Sequence, residues 1–270
     1  MYGPMDTSDE PTRYRILFGN WIKYVTVAAD TYGEDVEKFP PNLLHQLPEF
    51  PEGAWTEARV YRVPETNSLS FDLSWEKLPG ITDIWHNRLI DFLSTTVREH
   101  IQAEVKVVTV DHPSLPPNQH YIRKDANFPF EISHVANETS VYKLIEGCGI
   151  GPRFIGHLLE HDRVIGFVLE KVDGRFANID DLDVCTVAVD KLHALGIVHN
   201  DLNRYNFIVS DLDDGTRKVT IIDFENAFLD GTPQEMQEEK NSLAEQLIEE
   251  SGRGGPIVYK YDNAEELVEI

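Results

Sequence analysis

Residues 199–206 read HNDLNRYN and residues 221–225 read IIDFE, and these two stretches decide the fold. Asp201 is followed five positions later by Asn206, and Asp223 stands directly behind two β-branched isoleucines. Carboxylate and amide oxygens are hard ligands that suit an ion such as Mg²⁺. The spacing therefore predicts one site in which Asp201 is a candidate base, while Asn206 and Asp223 are candidate metal ligands.

The sequence around these stretches supplies the elements that such a site needs. Apolar residues between 182 and 195 recur at helical spacing and stop at Gly196, residues 207–210 and 219–222 read as a hairpin, and a charged helix is expected over 233–250. Taken singly, the histidine and aspartate could be a buried hydrogen-bonding pair, the asparagine a turn cap and the second aspartate a strand end. Their joint order, however, favours phosphoryl transfer, which needs a bound cation and a carboxylate that orients the attacking hydroxyl.

This segment resembles the protein-kinase-like superfamily, whose catalytic loop reads HRDLxxxN and whose metal motif reads DFG. Asn200 replaces the arginine and Glu225 replaces the glycine, departures similar to the aminoglycoside and choline phosphotransferase branch and to fungal atypical kinase-like proteins. The resemblance covers roughly residues 120–256. It implies that Asp201 is the catalytic base, that Asn206 and Asp223 bind Mg²⁺, and that His199 braces the loop.

The same resemblance implies an ATP site upstream of the loop. Lys124, at the end of an expected strand, and Glu138, on the next expected helix, match the pair that holds the α and β phosphates. A surface lysine and an ordinary helix glutamate remain the alternative, as does Arg123 in place of Lys124, because strand alternation decides which of the two faces the cleft. The backbone that would hold the adenine is expected at Leu169, Glu170, Lys171 and Val172.

Several parts of an ordinary protein kinase are missing. No GxGxxG precedes the Lys124 strand, the loop 111–118 contains no glycine, and no APE-like segment follows Asp223. Asn203 stands where protein kinases often carry a phosphate-neutralising lysine, and the adjacent Arg204 could supply that charge or be a surface residue. We therefore expect weak contacts to the nucleotide phosphates from the N-lobe side and no activation-loop switch. Two functions stay open, an enzyme or an inactive pseudokinase that acts as an interaction module.

Upstream of residue 175 the patterns indicate mostly strands. Strands are expected within 14–27, 58–63 and 69–75. Two hairpins are expected, one pairing 105–110 with 119–124 and the other pairing 154–158 with 164–169. Amphipathic helices are expected over 84–101 and 131–146. The predicted fold class is α+β, a two-lobed protein-kinase-like fold with a small antiparallel-sheet N-lobe and a minimal helical C-lobe. The predicted divisions are a β-rich N-terminal extension over 1–105 that resembles nothing we can assign, and a kinase-like domain over 106–270 whose lobes are 106–170 and 175–270.

Composition narrows the partners. Lysine and arginine number 24 against 47 acidic residues, a formal net charge of −23, so nucleic acid is not an expected partner. Two cysteines and the lack of a long apolar run indicate a soluble, cytoplasmic protein with no membrane partner. The sequence thus predicts an ATP-dependent phosphotransferase with Mg²⁺ as cofactor and a hydroxyl-bearing small molecule or protein Ser/Thr as acceptor.

Overall fold

The computed structural model describes residues 11–33 and 40–255, which form an α+β fold of three β-sheets with helices packed beside them. The strands are β1 Thr12–Phe18, β2 Trp21–Val27, β3 Glu57–Arg62, β4 Leu69–Ser74, β5 Leu89–Asp91, β6 Thr95–His100, β7 Val105–Val110, β8 His120–Asp125, β9 Phe154–Glu160, β10 Arg163–Glu170, β11 Arg175–Phe176, β12 Phe207–Asp211 and β13 Arg217–Ile221. The α-helices are α1 Pro40–Leu44, α2 Ile132–Ile145, α3 Leu182–His193 and α4 Pro233–Ile248.

The first sheet has the order β1-β2-β3-β4, in which β2 and β3 run parallel and the other neighbours antiparallel. It has its own small core, in which Tyr14 and Val27 of the sheet pack with Trp55 and Leu43. Burial alternates along β3, where Ala58 and Val60 are buried and Arg59 is exposed, whereas β2 buries four consecutive residues, Ile22 to Val25. The strands expected in this part of the chain are confirmed.

The second sheet has the order β5-β9-β10-β8-β7-β6, and α2 packs against it beside β10. The third is a short sheet of order β11-β12-β13, covered by α3, which in turn packs against α4. One continuous hydrophobic core joins the second and third sheets, from Ile90 and Phe167 to Phe224 and Leu247. The predicted hairpins at β7–β8, β9–β10 and β12–β13, and the predicted helices α2, α3 and α4, are confirmed.

The helix predicted over 84–101 is wrong. This stretch forms β5, a 3-10 turn over Phe92–Ser94 capped by the Asp91 carboxylate, and β6. Its apolar residues do not share one buried face, since Ile90 is fully buried while Leu89 and Leu93 are exposed. Pairing of β5 with β9 and of β6 with β7 overrides the helical spacing, because strand formation depends on pairing partners that lie outside the stretch itself.

This correction moves the start of the second sheet. β5 and β6 precede residue 106, where the kinase-like domain was expected to begin, and both belong to the sheet that carries Lys124. The separate N-terminal sheet contains only β1 to β4. Among the described residues, no helix has the length and apolar character that crossing a membrane requires.

Candidate active site

Lys124 lies at the centre of a cluster of three carboxylates. Its Nζ lies 2.7 Å from Glu138 Oε2, 2.7 Å from Asp223 Oδ1 and 3.1 Å from Glu225 Oε2. β8 supplies the lysine, α2 supplies Glu138, and the segment after β13 supplies the other two acids. The structure therefore brings the predicted lysine and glutamate together, and it places Asp223 against both.

The same cluster decides between Lys124 and Arg123. Arg123 points to the other side of β8, where its Nε lies 2.9 Å from Asp125 Oδ1. Burial would lower the pKa of Lys124, but attraction by Glu138, Asp223 and Glu225 outweighs it, so the pKa is raised well above its ordinary value. Lys124 therefore stays protonated across the physiological range of pH.

The loop over residues 199–206 is held by its own side chains. Asn206 Nδ2 donates to the backbone oxygen of Asp201 at 2.9 Å, which leaves the amide oxygen of Asn206 for another partner. Asn203 is almost fully buried, and its Oδ1 accepts from the Tyr205 N–H at 2.9 Å. His199 is fully buried and its Nε2 donates to the Ile222 carbonyl at 3.0 Å, so it connects the loop to the chain just before Asp223.

The histidine is well suited to bracing and poorly suited to carrying protons. Burial lowers the pKa of His199, although the Ile222 carbonyl and nearby acids act in the opposite direction. A neutral ring with Nε2 protonated fits the hydrogen bond to the carbonyl. The bracing role implied by the resemblance agrees with this geometry.

Glu239 of α4 supports the loop from outside, and the sequence analysis did not identify it. Its carboxylate accepts from the Asn200 N–H at 2.6 Å and the His199 N–H at 3.3 Å, and it pairs with His193 Nε2 at 2.7 Å. Asn200 has φ +63°, a left-handed backbone that asparagine tolerates better than most residues. Glu239 thus fixes the loop exactly where the chain turns toward Asp201.

An apolar cavity of about 240 Å³ runs between the second and third sheets. Eight of the predicted site residues line it, namely Lys124, Glu138, Leu169, Glu170, Lys171, Val172, Asn206 and Asp223. Asp201 lies instead on a second, more polar cavity of about 430 Å³ that α4 also borders. The loop over 199–206 therefore has Asn206 on one cavity and Asp201 on the other.

The roof of the apolar cavity comes from the turn between β6 and β7. Ile101, Gln102 and Val105 line the cavity, whereas the loop 111–118 does not contribute to its lining. The covering loop was expected at 111–118, because residues 95–100, which form β6, were predicted to be helical. The β6–β7 turn also lacks glycine, which would let a backbone approach phosphates closely. Weak contacts to the phosphates therefore stay a prediction.

The far end of the cavity is formed where β10 ends. The Glu170 N–H donates to the Arg153 carbonyl at 2.9 Å, so this group is already used within the protein. β10 ends at Glu170, and Lys171 and Val172 continue along the cavity beyond the last strand pair. The Glu170 N–H is therefore not available to a planar base.

The acidic end of the cavity fits a hard divalent cation. One carboxylate oxygen each from Glu138, Asp223 and Glu225 lies within 4.8 Å of the others, and Asn206, whose amide nitrogen donates to Asp201, lines the cavity together with Glu138 and Asp223. Oxygen donors of this kind suit Mg²⁺, which keeps several waters and takes few protein ligands. Glu225, which the sequence analysis treated only as a departure from DFG, is thus part of the acidic group.

The family comparison agrees with this geometry. The model of the lipopolysaccharide kinase (Kdo/WaaP) family, a member of the protein-kinase-like superfamily, matches residues 179–246, from the start of α3 into α4. The resemblance to the protein-kinase-like superfamily is therefore confirmed, and the protein is a kinase, that is, a phosphotransferase. A search of curated proteins finds no sequence similar to this chain.

Proposed function

We propose that the protein transfers the γ-phosphate of Mg-ATP to a hydroxyl acceptor. The observation that carries this proposal is one apolar cavity whose lining includes both Lys124, Asn206 and Asp223 and residues 169–172. A nucleotide needs an apolar slot for its base and a cationic, metal-binding end for its phosphates. The cavity offers both within one continuous space.

The side chains then take distinct roles. Lys124, oriented by Glu138, would bind the α and β phosphates, while Asn206 and Asp223 would hold Mg²⁺, which neutralises charge on the phosphates. Asp201 would accept the proton of the acceptor hydroxyl as its oxygen forms a bond to the γ-phosphorus. The bond from that phosphorus to the β-phosphate oxygen breaks, and ADP leaves.

A two-lobed arrangement is part of the same proposal. The second sheet with α2 would be the N-lobe, and the third sheet with α3 and α4 would be a minimal C-lobe, with residues 169–172 as the connection. The apolar cavity runs between these two groups of elements, which supports that division. The first sheet would be an extension attached to the N-lobe.

The acceptor would enter through the polar cavity beside Asp201. This cavity is lined by hydroxyl, amide and carboxylate side chains such as Ser242, Gln246 and Glu238, which suit a polar molecule rather than an apolar one. The matched family is named for lipopolysaccharide kinases, so a sugar hydroxyl is the first acceptor to test. A protein serine or threonine is the second.

Asp201→Asn tests the role of the base. We expect the substitution to lower ATP turnover with a panel of sugars or a generic protein substrate by at least about 100-fold, because the acceptor hydroxyl loses its proton acceptor. Folding should be unchanged, since the Asp201 carboxylate is partly exposed. Turnover equal to that of the wild type would refute the assignment, and wild-type protein that binds nucleotide without turnover would favour the pseudokinase.

Asp223→Asn tests the metal site separately. Calorimetry with an ATP analogue should show Mg²⁺-enhanced binding for the wild type and loss of that enhancement for the variant, because one of the hard carboxylate ligands is gone. Asp83→Asn, at an exposed carboxylate paired with Lys143, is the control. Unchanged Mg²⁺ enhancement in Asp223→Asn would mean that the metal role is wrongly assigned.

A further inference from the structure

The residues just after α4 fold back onto the loop over 199–206. Gly254 has φ +77°, and a Cβ placed there would lie 2.6 Å from Asn203 Nδ2. A Cβ at the next position, Gly255, would lie 3.0 Å from Cζ of the Tyr205 ring. Gly254 combines this close approach with a left-handed backbone that favours glycine, and Gly255 leaves room for the Tyr205 ring, so the segment is shaped to rest on the loop.

The fold-back places Arg253 against the candidate base. Arg253 Nη1 lies 3.1 Å from Asp201 Oδ1, and its other terminal nitrogen contacts Gln246 of α4. The Arg253 side chain is about half exposed, at 52% of its accessible surface, so its guanidinium can still meet a ligand. Arg253 lines the polar cavity and Gly254 lines the apolar cavity, so the segment borders both of them.

The loop itself offers no equivalent cation. Asn203, at the position where protein kinases often have lysine, is buried and caps the turn that follows it. The Arg204 guanidinium lies over the Tyr205 ring, 5.6 Å from its centroid, with its Nε buried. Neither side chain contacts Asp201 through a charged group in the described part of the chain.

We propose that Arg253 binds the phosphoryl group as it passes from the nucleotide to the acceptor, and so replaces the cation that the loop lacks. This proposal rests on the proposed function, because it takes Asp201 as the base and the apolar cavity as the nucleotide site. A guanidinium beside the base can donate two hydrogen bonds to phosphoryl oxygens without giving up a proton. The charge matters here because the surrounding side chains are mostly acidic.

The test compares Arg253→Gln and Arg253→Lys with the wild type in turnover and in binding. We expect Arg253→Gln to lower kcat about 100-fold and to raise KM for ATP only severalfold, and Arg253→Lys to retain an intermediate rate, since a single charge remains. By calorimetry, Arg253→Gln should weaken binding of a non-hydrolysable ATP analogue severalfold and leave ADP binding unchanged. Arg59→Gln, at an exposed position of β3, is the control.

Each other outcome overturns the proposal. Equal weakening of ATP analogue and ADP would make Arg253 a structural support only, and faster turnover in Arg253→Gln would make its contact with Asp201 an inhibitory one. Gly254→Ala provides an independent variant that keeps the arginine but displaces the segment, and it should lower kcat as Arg253→Gln does. If the wild type binds nucleotide but transfers no phosphate, the proposed function fails, while the difference between ATP analogue and ADP still decides the role of Arg253.

Discussion

Lys124 shows how a charge can be kept deep inside this protein. Its side chain is 9% exposed and that of Glu138 is 2% exposed, so neither is well solvated and each depends on the other. Asp223 and Glu225 are more open, at 31% and 38%, and are the groups that a cation could reach. The lysine thus belongs both to the fold and to the candidate site.

Removing this lysine should cost stability as well as nucleotide binding. We expect Lys124→Met to lower the free energy of unfolding by about 3 kcal/mol, because Glu138 is left buried without its cation. Urea denaturation would measure the change, and adding Glu138→Gln to Lys124→Met should recover part of it. Lys143→Met, which breaks an exposed pair with Asp83, should change stability by less than about 1 kcal/mol.

At this scale the sequence predicted part of the site. Asp201, Asn206 and Asp223 follow from short-range spacing, and Lys124 and Glu138 follow from their place on a strand and the next helix. Glu239 and Arg253 could not be predicted, because each contacts the loop from about 40 to 50 positions away with no spacing rule that links them. The run Ser251–Gly255, with its three glycines, was the only available signal for Arg253.

The loop over 199–206 is hydrogen-bonded to two other parts of the chain, the segment after β13 and helix α4. His199 connects it to the end of β13 through the Ile222 carbonyl, and Glu239 connects it to α4 through two backbone N–H groups. Burial would raise the pKa of Glu239, but hydrogen bonds from His193 and the loop outweigh it and lower the pKa. Glu239 is therefore a negatively charged carboxylate that accepts hydrogen bonds both from His193 and from the loop N–H groups.

Glu239→Ala should loosen the loop and weaken the protein. We expect a loss of about 2 kcal/mol in the free energy of unfolding, because loop N–H groups lose their acceptor, together with a lower kcat as Asp201 loses its fixed position. Thermal denaturation and turnover would be measured on the same samples. Glu245→Ala, on the exposed side of the same helix, should match the wild type in both, and a similar effect in the two variants would contradict the role of Glu239 in holding the loop.

At the element scale, amphipathic helices were predicted over 84–101 and over 131–146, and only the second of these stretches is helical. α2 formed as predicted because its buried residues Ile132, Val135, Val141 and Ile145 share one face. The stretch 84–101 had similar spacing, but β6 contains two threonines and a valine, which favour strands, and the residues beside Ile90 are exposed. Such residues suit the edge strands of a sheet better than they suit a helix. The spacing of apolar residues shows which positions can be buried, but the available pairing partners decide whether the stretch becomes a helix or a strand.

The whole molecule is held together by a buried ionic cluster between its first and second sheets. Arg15 of β1 contacts Glu160 at 3.1 Å and Asp125 at 3.3 Å, and Tyr24 of β2 donates to Glu160 at 3.1 Å. Arg163 also contacts Glu160, at 2.6 Å. Because Asp125 directly follows Lys124 in β8, the N-terminal sheet is anchored next to the candidate site.

This cluster gives a prediction for stability and its dependence on pH. Burial would raise the pKa of Glu160, but Arg15 and Arg163 outweigh it and lower the pKa. The carboxylate therefore stabilises the fold fully above its ordinary pKa of about 4.3, and this contribution is lost as the pH falls through the lower native value.

Arg15→Met should lower the free energy of unfolding by about 3 kcal/mol at neutral pH, because two buried carboxylates lose a cation. Urea denaturation at several pH values should show the gap between variant and wild type narrowing below about pH 4, as the carboxylates become protonated. Arg59→Met, at an exposed position in the same sheet, is the control. A gap that stays constant with pH would show that Arg15 acts through packing rather than charge.

The sequence by itself determined the superfamily and the groups that can do chemistry, because the loop over 199–206 and the segment at 221–225 are local patterns whose spacing is fixed by the backbone. Only the tertiary structure decided where the second sheet begins, which turn covers the apolar cavity, and that Glu239 and Arg253 converge on the loop. Those features depend on contacts between residues far apart in sequence. Long-range packing selects such contacts, and no local spacing encodes them.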